Sequence, residues 1–593
     1  MCVLTRLNTI LLQCTLLFLV GIMVVPLSAQ PDKKRWKKVD EYIESALDSW
    51  DVPGVAVGII DHGEIVLSKG YGLADVEAGT PVDEHSLFAI GSSSKAFTAL
   101  AVATLVEDGE IEWDEPIKTY LPDFELWDET ATEQMNAIDL LSHVSGLPRH
   151  DLAWYGSPRS REELYQSLKH FESTTSFRGG WQYQNLMFMT AGILVERVTG
   201  KTWEEYVQER ILDPLGMEAT NFSVSDLAGN DHAVKGYGLE EEEVKLLPYR
   251  NLDNIGPAGS INSNIVDMLK WADLMLSGGM VDTTEVIPAG AVRAVQYPRA
   301  IMPAGMNEDR FYMLYGMGWM ITSYRGHLMV EHGGNIDGFS AGVCLLPEDS
   351  VGIVILSNMN GSPIPSVLEY YLTDLMLDLE EKDWNAEVKE EFDQMMSSMD
   401  EASEEDLMQV AGTNPSKEIA EFAGIYKHPG YGTLTIEEGD TSLMMFYNTL
   451  ESPLEHYHYD VFRATDGQLA TMKIQFLLDE DGAVEECAIK LQQGVERMYF
   501  EKQPNTDLSE ETLDEYVGEY ELMGMTIEIT IEDETLRMTV PNQPKYTLAP
   551  IRTDVFDLTE LDGFSVIFGR DEEGKINEMT SAQPNGNFTA TRK

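Results

Sequence analysis

The sequence predicts an α+β fold at the front of the chain, followed by two small β modules. Three observations predict it. Strand periodicity occurs near 55–69 and again near 316–357, with a mainly helical, loop-rich stretch between them. The run Ser92–Val106 is apolar nearly all round, so it must lie in the interior. Beyond residue 416 the pattern becomes short strands separated by turns, in two copies. One sheet made from both ends of the front part, packed by the inserted helices, is the economical solution.

The elements follow in order. Residues 36–50 have helical spacing, and Pro53-Gly54 breaks that helix. Val55–Ile60 and Glu64–Lys69 read as strands joined by Asp61-His62-Gly63, a hairpin signature. The buried helix Ser92–Val106 ends at Gly109. Strands return at Gly316–Thr322, His327–Glu331, Ala341–Leu346 and Gly352–Ser357. Residues 367–410 are acidic, helical and rich in Met, and read as a closing helix plus a linker that ends in Gly412-Thr413-Asn414-Pro415. Then comes a weak repeat: Glu418–Tyr426 resembles Leu513–Tyr520, and Phe476–Gly482 resembles Phe568–Gly574. Neither copy shows an obvious catalytic cluster.

Composition excludes some functions. The 593 residues carry 41 Lys+Arg against 101 Asp+Glu, a formal charge of −60. Nucleic acid and anionic membrane surfaces would repel such a chain. The N-terminus has one charge, Arg6, then an apolar stretch densest at Leu16–Val25, then small residues before Gln30. That reads as a secretory signal peptide over 1–29, with export to a periplasmic or extracellular space. A membrane is a partner only if this segment is not cleaved. Cleavage would leave Cys344 and Cys487, read as buried thiols rather than a disulfide. No cofactor or metal is expected.

Three short motifs carry the chemistry. Ser92-Ser93-Ser94-Lys95 is an S-x-x-K. At a helix start, Ser92 and Lys95 lie one turn apart on the same face. The serine then meets the positive helix end, and burial in the apolar run would lower the lysine pKa so that it can take the hydroxyl proton. Tyr183-Gln184-Asn185 is a Y-x-N at the entrance to a helix, Leu186–Val198, that Gly200 ends. Tyr183 could shuttle a proton if a nearby lysine favours its phenolate, and Asn185 could bond a substrate carbonyl or the lysine. His332-Gly333-Gly334-Asn335 ends the strand His327–Glu331, where glycines let a substrate backbone approach. Read singly, the second motif is better taken as a helix cap with a packed aromatic, and the third as a β-bulge or turn with an exposed histidine.

Together, in this order, the motifs resemble the serine β-lactamase and penicillin-recognising family. The likeness is closest to the class C β-lactamase group, with its D-stereospecific peptidases and family VIII carboxylesterases. Val52–Val57, Leu87–Thr98, Leu140–Pro148, Pro214–Met217 and His332–Ala341 also look like that family. The resemblance implies a β-lactamase/transpeptidase-like antiparallel sheet flanked by helices, with a helical subdomain. It divides the chain into a serine hydrolase domain over 36–375, an acidic helical linker over 376–415, and small β-barrel-like modules over 416–503 and 509–593. It implies that Ser92 is the acylated nucleophile, that Lys95 and Tyr183 move its proton, and that Asn185, His332 and Gly334 bind substrate. The backbone amides of Ser92 and Asn335 would form the oxyanion hole.

One departure bears on substrate. Many relatives have lysine at the position of His332, a fixed cation suited to a carboxylate. Histidine is mostly neutral near pH 7, which favours uncharged esters or amides over penicillins or D-Ala-D-Ala termini. A small-molecule or peptide substrate is expected. The alternative is a penicillin-binding-like sensor without turnover, or a surface-binding protein whose β modules hold an unknown surface partner. His456-Tyr457-His458 puts two histidines on one strand face, but no third metal ligand is evident and cross-strand packing is preferred. His143 and His150 lie in a loop and are assigned no role.

Overall fold

The computed structural model describes residues 33–593, apart from 241–242, 304, 405–408, 440–441, 504–509, 533–534, 553, 562–563, 572 and 584–585. The leader read at 1–29 lies outside the described residues.

A helix, α1 (Lys33–Ser49), precedes the hairpin β1 (Gly54–Asp61) and β2 (Glu64–Asp75). The sheet is completed from the far end of the front part by β3 (Arg310–Tyr315), β4 (Met320–Tyr324), β5 (His327–Ile336), β6 (Phe339–Leu346) and β7 (Val351–Ser357). The order is β3-β4-β5-β6-β7-β1-β2, with short edge strands Ala300–Ile301 and Thr80–Pro81 outside β3 and β2. All these pairings are antiparallel. The join is the β1–β7 pair, where Val55 faces Ser357 and Asp61 faces Val351. β1, β6 and β7 are buried almost throughout because helices cover both faces. The predicted sheet built from both ends is present.

Two boundaries differ from the sequence reading. Gly316–Thr322 is not one strand, because residues 316–319 form the turn between β3 and β4. The strand read as His327–Glu331 continues to Ile336, since residues 332–336 keep pairing with β6 (His332 with Val343, Asn335 with Ser340). The third motif therefore lies within a strand, not in a turn.

Helix α2 (Ser94–Glu107) is the centre of the fold: Ser94 through Leu105 are all buried. Sealing a Leu or Phe side chain such as Leu100 or Phe97 is worth about 1.5–3 kcal/mol each. Helix α3 (Asn185–Thr199) packs beside it, and Gly200 closes α3 at φ 72°. Helix α4 (Ile265–Leu276) covers the same side of the sheet, while α5 (Ile364–Met376) covers the other together with α1. Helix α6 (Trp384–Glu404) follows as the acidic stretch.

The two C-terminal modules are closed eight-stranded barrels, Gly424–Lys502 and Gly518–Arg592 by their strands. The repeat seen in sequence has a shared interior. Tyr426 Oη donates to the Phe422 carbonyl at 2.7 Å, and Tyr520 Oη to the Tyr516 carbonyl at 2.9 Å. Phe476 packs on Phe422 and Phe462, as Phe568 packs on Tyr516 and Phe556. The interiors differ in one respect. Buried residues of the first barrel, such as Tyr431 and Leu434, are continuous with the core of the front part, while the second barrel has a core of its own.

Candidate active site

A short 3₁₀ turn, Gly91–Ser93, feeds α2 and puts Ser92 at its positive end. Gly91 has φ 51°, and a Cβ there would lie 2.8 Å from the Asn335 backbone nitrogen. At Gly334 a Cβ would lie 1.9 Å from the Ile90 carbonyl oxygen. Only glycine at these two positions lets β5 run against the Ser92 turn. That contact brings the Asn335 backbone beside Ser92, although 243 residues separate them in sequence.

Lys95 Nζ lies 3.0 Å from Ser92 Oγ and donates to the Ala258 carbonyl at 2.7 Å. Lys95 is fully buried. Burial pushes its ammonium well below the usual lysine range, and the Arg149 cation adds to this. Tyr183 sits beside Ser92, and its ring centroid is 4.7 Å from Lys95 Nζ. Burial raises the Tyr183 phenol, which the nearby Ser92 hydroxyl and the charge of Arg149 only partly oppose. Burial thus favours the neutral form of both the amine and the phenol. A phenolate at Tyr183 would have to form against the burial that favours the neutral phenol.

Asn185 is the first residue of α3, and the helix cap is Gln184, whose side chain accepts from the Leu186 amide. Asn185 Nδ2 donates to Asp151 Oδ1 at 3.1 Å rather than to the lysine. Asp151 also accepts from Arg149 Nε. The Arg149 guanidinium sits 4.9 Å from the Tyr183 ring centroid.

His332 is buried, not exposed. Its Nε2 is 3.0 Å from Tyr315 Oη, and its Nδ1 is 2.6 Å from the Gly333 carbonyl. Burial, then the charge of Lys95, lowers its pKa to about 3. His143, assigned no role from the sequence, sits against the Tyr183 ring, with centroids 4.3 Å apart. Its Nδ1 accepts from the Gln184 amide at 3.0 Å, and its Nε2 is 3.2 Å from Tyr315 Oη. The donors fix the tautomers. His143 Nε2–H donates to Tyr315, Tyr315 donates to His332 Nε2, and His332 Nδ1–H donates to the Gly333 carbonyl. A neutral chain thus ties the segment after Tyr183 to the glycine strand.

A cleft of about 860 Å³ opens over these groups. Ser92, Tyr183, His332, Gly334 and Asn335 line it, with Arg149 and Gln492. The structure brings the three motifs together at one opening. Sequence reading missed Arg149, Asp151, His143, Tyr315 and Gln492. The segment Leu140–Pro148 was the only nearby signal, and Gln492 gave none. Elsewhere, His456 Nε2 bonds the Tyr459 carbonyl at 2.8 Å and His458 Nδ1 accepts from the Val410 amide at 3.3 Å. Among the described residues no group of three or more His, Cys, Asp or Glu could hold a metal ion. Cys344 and Cys487 are buried free thiols.

Comparison with known proteins gives the following. The profile of the family described as Beta-lactamase matches residues 39–375. A domain of unknown function (DUF3471) matches twice, at 408–502 and 501–592. A protein named Unguisins hydrolase ungD′, from Aspergillus campestris (strain IBT 28561), is 29% identical over 502 residues, covering 79% of this chain and 92% of that one. Protein flp of Staphylococcus aureus (strain NCTC 8325 / PS 47) is 26% identical over 345 residues, covering 57% of this chain and 66% of that one. The octameric penicillin-binding protein homologue from Pyrococcus abyssi superposes with a TM-score of 0.52 at 20% identity, covering 86% of this chain and 98% of that one. That likeness is one of fold.

Proposed function

The chain belongs to the beta-lactamase family and is a hydrolase of that family, and from that premise we propose that it is an exported serine hydrolase that works through an acyl-enzyme at Ser92. The observation that carries this reading is the 3.0 Å approach of Lys95 Nζ to Ser92 Oγ at the floor of an open cleft. A lysine whose pKa is lowered by burial is suited to act as a base next to a nucleophile.

Ser92 Oγ attacks the substrate carbonyl carbon, and its proton passes to Lys95 Nζ. The oxyanion points at the Ser92 and Asn335 amides, where the helix end adds positive potential. The C–N or C–O bond breaks, and the leaving group takes a proton from the Tyr183 phenol or the Lys95 ammonium. Water then attacks the Ser92 ester by the reverse proton path and releases the acid. Asn185 and Asp151 hold the substrate side of the cleft in place.

The substrate is an ester, amide or lactam. His332 is neutral, and the Arg149 charge is opposed by Asp151, so the cleft favours uncharged groups beside the reacting carbonyl. The relative named as an unguisins hydrolase is consistent with hydrolysis.

Ser92→Ala tests the reading. It should lose fluorophosphonate or penicillin labelling and the hydrolysis of a p-nitrophenyl ester, a chromogenic cephalosporin or a D-alanyl peptide, whichever the wild type cleaves. Retained labelling at another serine refutes it. N-terminal sequencing of secreted protein tests export, with Gln30 expected as the first residue.

A further inference from the structure

The segment Arg149–Tyr155 has two sides. On one side, Arg149 lines the cleft and donates to Asp151, which in turn accepts from Asn185 Nδ2. On the other side, the first barrel grips it. Tyr447 Oη shares its one hydrogen between the Leu152 and Tyr431 carbonyls, each at 2.9 Å, and Asn448 Nδ2 donates to the carbonyls of Leu152 at 3.0 Å and Tyr155 at 3.1 Å. Between them stands His150, fully buried and left-handed at φ 49°. Its Nε2–H donates to the Glu172 carbonyl at 3.1 Å, so its Nδ1 accepts from Tyr431 Oη at 2.6 Å. Its backbone N–H donates to Gln492 Oε1 at 2.7 Å.

Gln492 is part of the first barrel's chain yet lines the cleft with Ser92 and Tyr183. One hydrogen of its amide goes to the Gln493 carbonyl at 3.1 Å. A primary amide has two such hydrogens. The second N–H is thus available to a carbonyl acceptor in the cleft, and the bond from His150 holds the amide in position to offer it. A cleft of about 860 Å³ is larger than a short-chain ester needs, and is in the size range of sites for larger ligands.

We propose that the first barrel is a wall of the active site, and that Gln492 donates a hydrogen bond to a backbone carbonyl of a peptide-like substrate next to the scissile bond. This rests on the reading of Ser92 as the nucleophile, and it narrows the substrate class to amides that carry a further amide group. It also gives the first barrel a role that the second, with its separate core, does not share.

The test uses full-length protein and reads protection of Ser92 against a fluorophosphonate, which does not depend on turnover. The competitors are N-acetyl-dialanyl amide, in D and L forms, and ethyl butyrate. Gln492→Glu keeps the acceptor for the His150 amide but loses the N–H donor, so it separates substrate binding from positioning. Gln492→Leu loses both. Tyr499→Ala, an exposed side chain on the same barrel, is the control. One dipeptide form is expected to protect the wild type and the control equally. Gln492→Glu should need about tenfold more of that peptide, the worth of one lost hydrogen bond. Its protection by ethyl butyrate should change far less, and its melting temperature should match the wild type.

The proposal is overturned if neither peptide form protects the wild type better than the ester does. It is also overturned if Gln492→Glu and Gln492→Leu keep wild-type protection ratios. Absence of labelling at Ser92 in the wild type would instead overturn the nucleophile assignment, so the two failures are distinguishable.

Discussion

The phenol of Tyr315 donates to His332 Nε2 at 3.0 Å, and it is this bond that keeps the histidine of the third motif turned into the protein. The same oxygen accepts from His143. Tyr315→Phe strips a partner from two buried ring nitrogens at once. The expected cost is about 1–3 kcal/mol in a denaturant titration. Activity towards any cleaved substrate should fall roughly tenfold, because the strand edge at Gly333 loses its tether.

In the proposed mechanism the base is an amine that must be unprotonated to act. Its pKa is depressed by burial. Activity should therefore fall as pH drops through that lowered value, and stay high above it. His332 titrates near 3 and does not contribute to a limb in the neutral range. His332→Gln should leave the midpoint of the acid limb in place, while Lys95→Met should lower turnover by about 10³-fold or more. A kcat/KM profile from pH 5 to 10 checks both.

Gly334→Ala places a methyl group against the Ile90 carbonyl and 3.1 Å from the Ser92 nitrogen. β5 has to move away from the serine turn, and the Asn335 amide moves with it. Turnover should drop about 10²–10³-fold, the range seen for loss of one oxyanion donor, with little change in KM. An unchanged far-ultraviolet circular dichroism spectrum would show that the sheet survives.

Glu369 is buried on α5 and stands beside Glu331 of β5. Burial and the Glu331 carboxylate beside it hold its proton well above the usual range. The unfolded chain releases that proton above its ordinary value of 4.5, whereas the native protein keeps it. The contribution of this group to stability is thus complete below that value and declines as pH rises. Glu369→Gln should raise the melting temperature at pH 8 by roughly 2 °C or more, with a smaller gain at pH 4.5.

Much of this arrangement was legible in the sequence because it is carried by local pattern. The apolar run after Ser92 had to be an interior helix, and a lysine in its first turn had to be buried with it. Tyr426 and Tyr520 stood at matching places in the two modules because the same interior bond recurs. The residues that were not legible act through distant contacts. His143 becomes part of the site only when Tyr315 folds over it, 172 residues later. Gln492 lies in a stretch with no motif and reaches the cleft because its barrel docks on the loop at His150. Taken alone, the third motif reads as a bulge or turn at the end of a strand, because glycines usually signal one. Here they serve close backbone approach within a strand that remains paired.

The continuity of the first barrel's interior with that of the front part fixes how the protein comes apart. Their apolar side chains are sealed by one another, so heat should melt them in a single cooperative step. The final barrel, sealed by its own aromatic residues, should melt separately. A protease that cuts between Lys502 and Glu510 would release an intact globule at each side. One that cuts between the front part and the first barrel would leave raw apolar surface on both fragments, and with it a tendency to aggregate.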